Sequence, residues 1–469
     1  MDALMTHEPA GRAGSRRTAM VVIENFGACN MRCTYCFPEH MWQRQGRAGL
    51  IDWETYQGTL EQVFATTVAE SVEVRLAGGE PLLAGQAWLT QAFKLAREIA
   101  TRHGKEATFS LQTNATRVTP ALARFLAANQ VLVGVSLDGP PDINERTRGQ
   151  TEGTLLGFRL LTEAFGRRPS VIVTVTNCNA RAMPQVIDFL EELGVVHFRA
   201  NQMGATAPWN AHAAPSAAEW AAARRDIFTS IAARRGRIAE LNLSVLIGKF
   251  VRTLLAGDSP FGEEYGCHGM RCAAGRELMY FDRGGNAYPC PRSNVTAAAR
   301  IGHYADEDFG ARGDETNRAL DAAMTVPAEC GRCPAQGVCD YGCHAFNVAE
   351  GGFFAVNCDA SKEVYGWVVE HLEVAARVFL NDRWRDSVRA TGDTGAVRSG
   401  VELPSSLVWG LAEQLRLGLA RFLARPHLDA AVLARRFRPQ GEIIPLTVVE
   451  APSAAAARCA VTVGERRSG

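Results

Sequence analysis

Three cysteines, Cys29, Cys33 and Cys36, stand in the stretch ACNMRCTYCF with the spacing C-x3-C-x2-C. Three thiolates in one short loop suit a soft metal centre. A structural zinc ion normally closes its shell with four ligands. A four-iron cubane held by three cysteines keeps one iron open to an external ligand. The difference is functional, because only the open site can bind and activate a molecule. Eight more cysteines, at 267, 272, 290, 330, 333, 339, 343 and 358, form a second array downstream. Its spacing is C-x4-C, a single cysteine preceded by Gly285, then C-x2-C-x5-C-x3-C and a last cysteine.

Polar residues with matching chemistry lie between the two arrays. GGEP places Gly78 and Gly79 where backbone can approach closely, and Glu80 can accept a hydrogen bond from an ammonium group. SLDG supplies Ser136 and Asp138, a hydroxyl and a carboxylate suited to ribose hydroxyls, or to capping a turn. Arg148 in NERTRG can pair with a carboxylate in bidentate fashion. Gln112 and Asn114 of QTN point to the same end of the chain's strands, as contacts or as a polar cap.

The elements that must position these residues are legible from periodicity. β-Branched runs at 19–25, 71–78, 107–114, 131–138, 170–177 and 195–201 read as strands. Patterns of period near 3.6 follow them, as at 85–103 and 182–193, and Thr119 with Pro120 opens a helix as N-cap and first residue. Six strand–helix repeats predict a parallel α/β sheet with right-handed crossovers, either an open doubly wound sheet or a partial barrel. In both, functional loops sit at the C-terminal ends of strands, where the unusual residues fall. This unit spans 18–235, a bridge helical in its later part covers 236–265, and a Cys-rich region with a following helix covers 266–384. Residues 385–402 read as a linker, and 403–469 as a small C-terminal α+β unit of two helices and two strands.

Composition narrows the function classes. The 469 residues call for two or three domains, with 47% hydrophobic and 21% charged residues. Lys plus Arg equals Asp plus Glu at 50 each, so no global field favours nucleic acid or an anionic membrane as partner. The first 17 residues lack an apolar core and predict no signal peptide, which points to a reducing cytoplasm. Thirteen cysteines there imply metal or redox chemistry instead of disulfides.

The first cluster, with Tyr35 and Phe37 flanking Cys36, closely resembles the radical S-adenosylmethionine (radical SAM) superfamily. The resemblance implies a partial (β/α)6 TIM-like barrel in which Cys29, Cys33 and Cys36 hold a [4Fe-4S] cluster. SAM would occupy the open iron, with Gly78, Gly79 and Glu80 at its amino group and Ser136, Asp138 and Arg148 at ribose and carboxylate. The competing assignment for this loop is a zinc knuckle.

The second array resembles the SPASM extension of peptide-modifying radical SAM enzymes, Gly285 included. By that resemblance Cys267, Cys272, Cys290 and Cys343 hold one auxiliary [4Fe-4S] cluster, and Cys330, Cys333, Cys339 and Cys358 hold another. Two zinc ribbons are the rival, since thiolates serve both metals. Cys178 and Cys459 are left over and expected to be small core residues. The family implies a peptide or small-protein substrate and a low-potential electron donor such as flavodoxin or ferredoxin. Sulfatase maturases usually carry an Asp after the third SPASM cysteine, where this chain has Pro291. The layout, with a tail beyond SPASM, looks more like the maturases of quinohemoprotein amine dehydrogenase, which join a cysteine sulfur to a carbon of Asp or Glu. A C–C cyclophane former, a formylglycine-forming enzyme and a non-catalytic metal scaffold are the alternatives. The short stretch before the first strand leaves no room for a leader-binding domain, so the expectation is docking by 403–469 or a folded substrate.

Overall fold

The computed structural model describes residues 18–36, 49–204, 211–256, 274–275, 278–292, 300–309, 333, 335, 339, 355–390 and 394–424. All belong to the compact unit Met1–Phe437. Seven parallel strands follow one another in chain order: β1 (Thr18–Phe26), β2 (Ser71–Gly78), β3 (Glu106–Thr113), β4 (Leu132–Ser136), β5 (Ser170–Val175), β6 (His197–Gln202) and β7 (Ala239–Glu240). Between them run helices α1 (Trp53–Thr66), α2 (Gly85–Arg102), α3 (Pro120–Ala128), α4 (Pro141–Thr147), α5 (Thr151–Phe165), α6 (Met183–Glu192) and α7 (Ala217–Ala233). Sequential order with right-handed crossovers puts the helices on one face, as in a barrel left open. The six strands expected from periodicity are present, and Thr119 caps α3 by accepting from the Leu122 amide at 3.2 Å. The seventh strand is two residues long, inside the expected bridge, and leads into α8 (Leu241–Ala256).

Alternation along the strands separates two faces. Val74, Leu76, Phe109, Leu111, Val171, Val173 and Phe198 are buried against the helices. The opposite, inner face carries Glu24, Glu73, Arg75, Ser110, Gln112, Ser136, Thr174 and Arg199. An apolar outer face supplies the burial energy, so the inner face is left for polar groups.

The sheet has ten strands in all, in the order β10-β9-β8-β1-β2-β3-β4-β5-β6-β7. The three additional strands come from the Cys-rich region: β8 (Leu278–Phe281), parallel to β1, then β9 (Asn286–Tyr288) and β10 (Gly302–His303), both antiparallel. The described part of this region thus continues the sheet instead of standing apart. Its hairpin turn needs Gly285, whose φ is +78°, and a Cβ there would meet the Tyr304 ring at 2.4 Å. The same ring packs on Gly58 of α1, which fixes the hairpin against the sheet's first helix. Glu24 completes the junction. Its carboxylate accepts from Tyr280 Oη at 2.7 Å and pairs with Arg283 at 3.3 Å, both ionic side chains being under 10% exposed.

C-terminal to the Cys-rich region, α9 (Ala355–Glu370) and α10 (Leu372–Ala390) run on where one helix over 361–384 was expected, with a break at His371. The expected linker is largely helical, as the end of α10 and α11 (Thr394–Ser399), because buried Arg385 and Val397 anchor it. Helix α12 (Ser405–Leu423) packs on α8, where a Cβ on Gly418 would stand 2.3 Å from the Leu254 carbonyl oxygen. The later helix and the two strands expected beyond it lie outside the described residues.

Glu24→Ala removes one member of a buried ion pair and leaves Arg283 unpaired, which costs about 3–5 kcal/mol. Denaturant unfolding should show that loss, while the charge-free pair Glu24→Gln with Arg283→Met should recover most of it.

Candidate metal centre

The cysteine loop leaves the C-terminal end of β1 and is braced on two sides. Gly79 N donates to Phe26 O at 2.8 Å and Glu80 N to Ala28 O at 3.0 Å, joining it to the end of β2. Thr34 N donates to Thr147 O at 2.9 Å, joining it to α4. The approach is so close that a Cβ on Gly79 would lie 2.0 Å from Ala28 O, and one on Gly78 2.3 Å from Phe26 O. Both glycines are therefore demanded by contact with the cysteine loop itself.

Cys29, Cys33 and Cys36 are half-buried, and none of them is in a disulfide. Cys29 Sγ accepts from Met31 N at 3.4 Å and from Asn114 Nδ2 at 3.7 Å. Burial pushes the thiols of Cys29 and Cys33 up, so a thiolate there requires a positive partner. Among the described residues no three ligand side chains are drawn together closely enough to hold a metal ion; what fits a thiolate-bound iron–sulfur cluster is the chemistry of the loop, three thiols outside disulfides with N–H groups turned on Cys29 Sγ.

Glu80 is 1% exposed, and its carboxylate accepts from Leu82 N at 3.1 Å, Thr113 Oγ1 at 2.7 Å and Asn114 N at 2.8 Å. Burial raises its pKa against those three bonds. A carboxylate has about four acceptor sites, so its main task is to tie β2 to β3, with room for one further donor.

Asp138 departs from the expected ribose contact. It is 0% exposed, with Oδ2 accepting from Tyr35 Oη at 2.7 Å and Oδ1 from Thr174 N at 2.9 Å. Tyr35 Oη in turn accepts from Arg148 Nη1 at 2.5 Å, and the guanidinium lies 3.8 Å from Asp138. Burial works against the charge of Arg148, but Tyr35, Asp138 and the thiols of Cys33 and Cys36 outweigh it. Arg148 Nε is buried without a partner. Tyr35, singled out in the sequence only as an aromatic beside Cys36, is thus the clasp that joins the cysteine loop to β4, β5 and α4. A hydroxyl-bearing aromatic at that position was the available signal.

Ser136 remains half-buried at the end of β4, accepting from Gln112 Nε2 at 2.8 Å. Gln112 reaches it because Gly134 has no side chain; a Cβ there would stand 2.2 Å from Gln112 Oε1. Asn114 turns towards Asn30 and Cys29.

Of the second array, Cys290, Cys333, Cys339 and Cys358 are described, and none of them is in a disulfide. Cys290 is buried just beyond β9, and Cys358 lies on α9. The Lys362 ammonium is held up first by Cys358 and also by Cys333, which brings those two thiols to one neighbourhood. Cys267, Cys272, Cys330, Cys343 and Cys459 lie outside the described residues. Cys178, expected in the core, is exposed after β5, its thiol donating to Asn177 Oδ1 at 3.4 Å.

The Radical SAM superfamily model matches residues 24–190, a span that takes in the cysteine loop, GGEP, Ser136 and Arg148. Over those residues the chain is similar to the Radical SAM superfamily. It is similar to the cysteine-type anaerobic sulfatase-maturating enzyme of Clostridium perfringens (strain 13 / Type A), 28% identical over 171 residues, or 35% of this chain and 46% of that enzyme. In that match the chain spans about half the relative's length. The serine-type enzyme of Klebsiella aerogenes is 25% identical over 343 residues, 69% of this chain and 79% of that one. Among solved structures, AdoMet-bound anSMEcpe superposes with a TM-score of 0.63 at 20% identity, over 78% of this chain and 98% of that chain. Streptococcus suis SuiB bound to precursor peptide SuiA gives 0.51 at 15%, over 71% and 73%. At these identities the structural likeness is one of fold. Among the described residues no helix is long and apolar enough to cross a membrane.

Gly79→Ala forces the Cys29 loop away from β2, because the atom it meets is backbone. Anaerobic reconstitution of the variant should retain about four fewer irons than the parent, read by iron and sulfide analysis.

Proposed function

We propose that this chain is a radical SAM enzyme that forms thioether cross-links in a peptide or small protein, between a cysteine sulfur and the β- or γ-carbon of Asp or Glu. The observation that carries the radical assignment is the three-cysteine loop at the end of β1, clasped by Tyr35, Asp138 and Arg148 and cradled by Gly79. In this reading Cys29, Cys33 and Cys36 hold the cluster, and Gly78, Gly79 and Glu80 lie at the amino group of SAM. Ser136 serves the ribose and Arg148 the carboxylate, for which its unpartnered Nε is available. Asp138 acts through Tyr35 and Arg148, as a positioning residue.

Cluster and SAM, when bound, supply a 5′-deoxyadenosyl radical. The chain's part is to align one substrate C–H with that radical and to keep water away. Per link the substrate gives up one hydrogen atom from carbon, one thiol proton and one electron, and a C–S bond replaces the C–H and S–H bonds. A low-potential iron–sulfur centre suits the electron, and the eight cysteines of the second array would provide two, fully ligated. A flavodoxin- or ferredoxin-like donor would supply the priming electron, and the reducing cytoplasm is the matching compartment.

Peptide substrates are supported by the relatives: anSMEcpe has been solved with a Cp18Cys peptide and SuiB with its precursor peptide. The sulfatase-maturating relatives favour formylglycine formation as a second reading. Pro291, directly after Cys290, speaks against it, because proline offers no base.

Protein purified without oxygen should carry about twelve irons, four per cubane. Replacing Cys29, Cys33 and Cys36 with Ala should remove about a third of them and end deoxyadenosine formation. Stoichiometric zinc without sulfide would overturn the cluster assignment. Turnover with a Cys-rich polypeptide encoded beside this chain's gene, alkylated and read by tandem mass spectrometry, tests the product. The expected link lowers mass by two hydrogens and shields one cysteine; a two-hydrogen loss with every cysteine alkylated would select the C–C product.

A further inference from the structure

Among the described strands two arginines stand on the inner face, Arg75 on β2 and Arg199 on β6. Arg75 is neutralised: its Nη2 donates to Glu73 at 2.8 Å and its Nε to Ser110 at 2.9 Å. Arg199 is not. It is exposed between Phe198 and Ala200, both buried towards the helices, so its side chain leaves the sheet on the inner side.

Its guanidinium is nonetheless oriented. Nη1 donates to Asn242 Oδ1 at 3.0 Å, and Asn242 Nδ2 donates back to Ala200 O at 3.1 Å and Asn201 Oδ1 at 3.3 Å. The nearby acid, Glu240, is 3% exposed and spends its oxygens on the amides of Ala200, Asn242 and Leu243. Register places Arg199 opposite Ile172 and, through it, in line with Ser136. Phe198 pairs with Glu240, the last residue of β7, so Arg199 stands one residue beyond that strand's end, on the side of the cysteine loop.

We propose that Arg199 binds a side-chain carboxylate of the substrate polypeptide, presenting an Asp or Glu at the mouth of the sheet. This rests on the radical SAM reading above and names the substrate group that the site selects. The guanidinium fork matches a carboxylate in bidentate geometry, and Asn242 uses only one of its five N–H groups. The neighbouring polar groups, Asn201, Asn242 and Ser136, are neutral and do not compete for the charge.

The test uses two blocked peptides, acetyl-Cys-Gly-Gly-Glu-amide and its Gln isostere, titrated into the full-length, anaerobically reconstituted protein with SAM present. The parent should prefer the Glu peptide by about tenfold or more, as a charge-assisted hydrogen bond implies. Arg199→Gln should erase the preference and Arg199→Lys should restore part of it, with circular dichroism melts confirming that both variants fold. No preference in the parent, failure of either peptide to bind it, or a preference that survives Arg199→Gln would overturn the proposal. Deoxyadenosine formation by the same parent sample separates the two layers: its absence removes the radical SAM reading, while the peptide preference still judges Arg199.

Discussion

A tyrosine hydroxyl held between a carboxylate and a guanidinium organises this molecule. Tyr35 Oη donates to Asp138 and accepts from Arg148, and all three side chains are about nine-tenths buried or more. In so dry a setting an unmatched charge would be very costly, so the three groups stay together or the loop leaves its place. Because Tyr35 stands between Cys33 and Cys36, the network fixes the thiols relative to β4, β5 and α4.

The same strand end is tied on its other side. β1 pairs with β2 and β8, and Glu24 near its end joins the hairpin through Tyr280 and Arg283. Cys290 follows the second strand of that hairpin. One strand therefore sets the first cysteine loop and the start of the described Cys-rich region in a common frame.

Function and fold divide the sheet between its faces. The helices cover an apolar face, which supplies the stabilising burial. The inner face is free to carry Glu73 and Arg75 within β2 and, at or near the C-terminal ends of their strands, Gln112, Ser136 and Arg199.

The sequence by itself determined what depends on local pattern: six strands from alternation and the α3 cap from Thr119 and Pro120. Local pattern does not report pairing between distant segments, because side-chain reach and register arise only when the sheet forms. So the attachment of β8 to β1, the helical nature of 385–390 and 394–399, and the exposure of Cys178 appeared only in three dimensions. For the same reason Asp138, a plausible ligand by type and position, is decided by tertiary structure. Its oxygens meet Tyr35, 103 positions away, and Thr174, 36 positions away, before any solute can reach them.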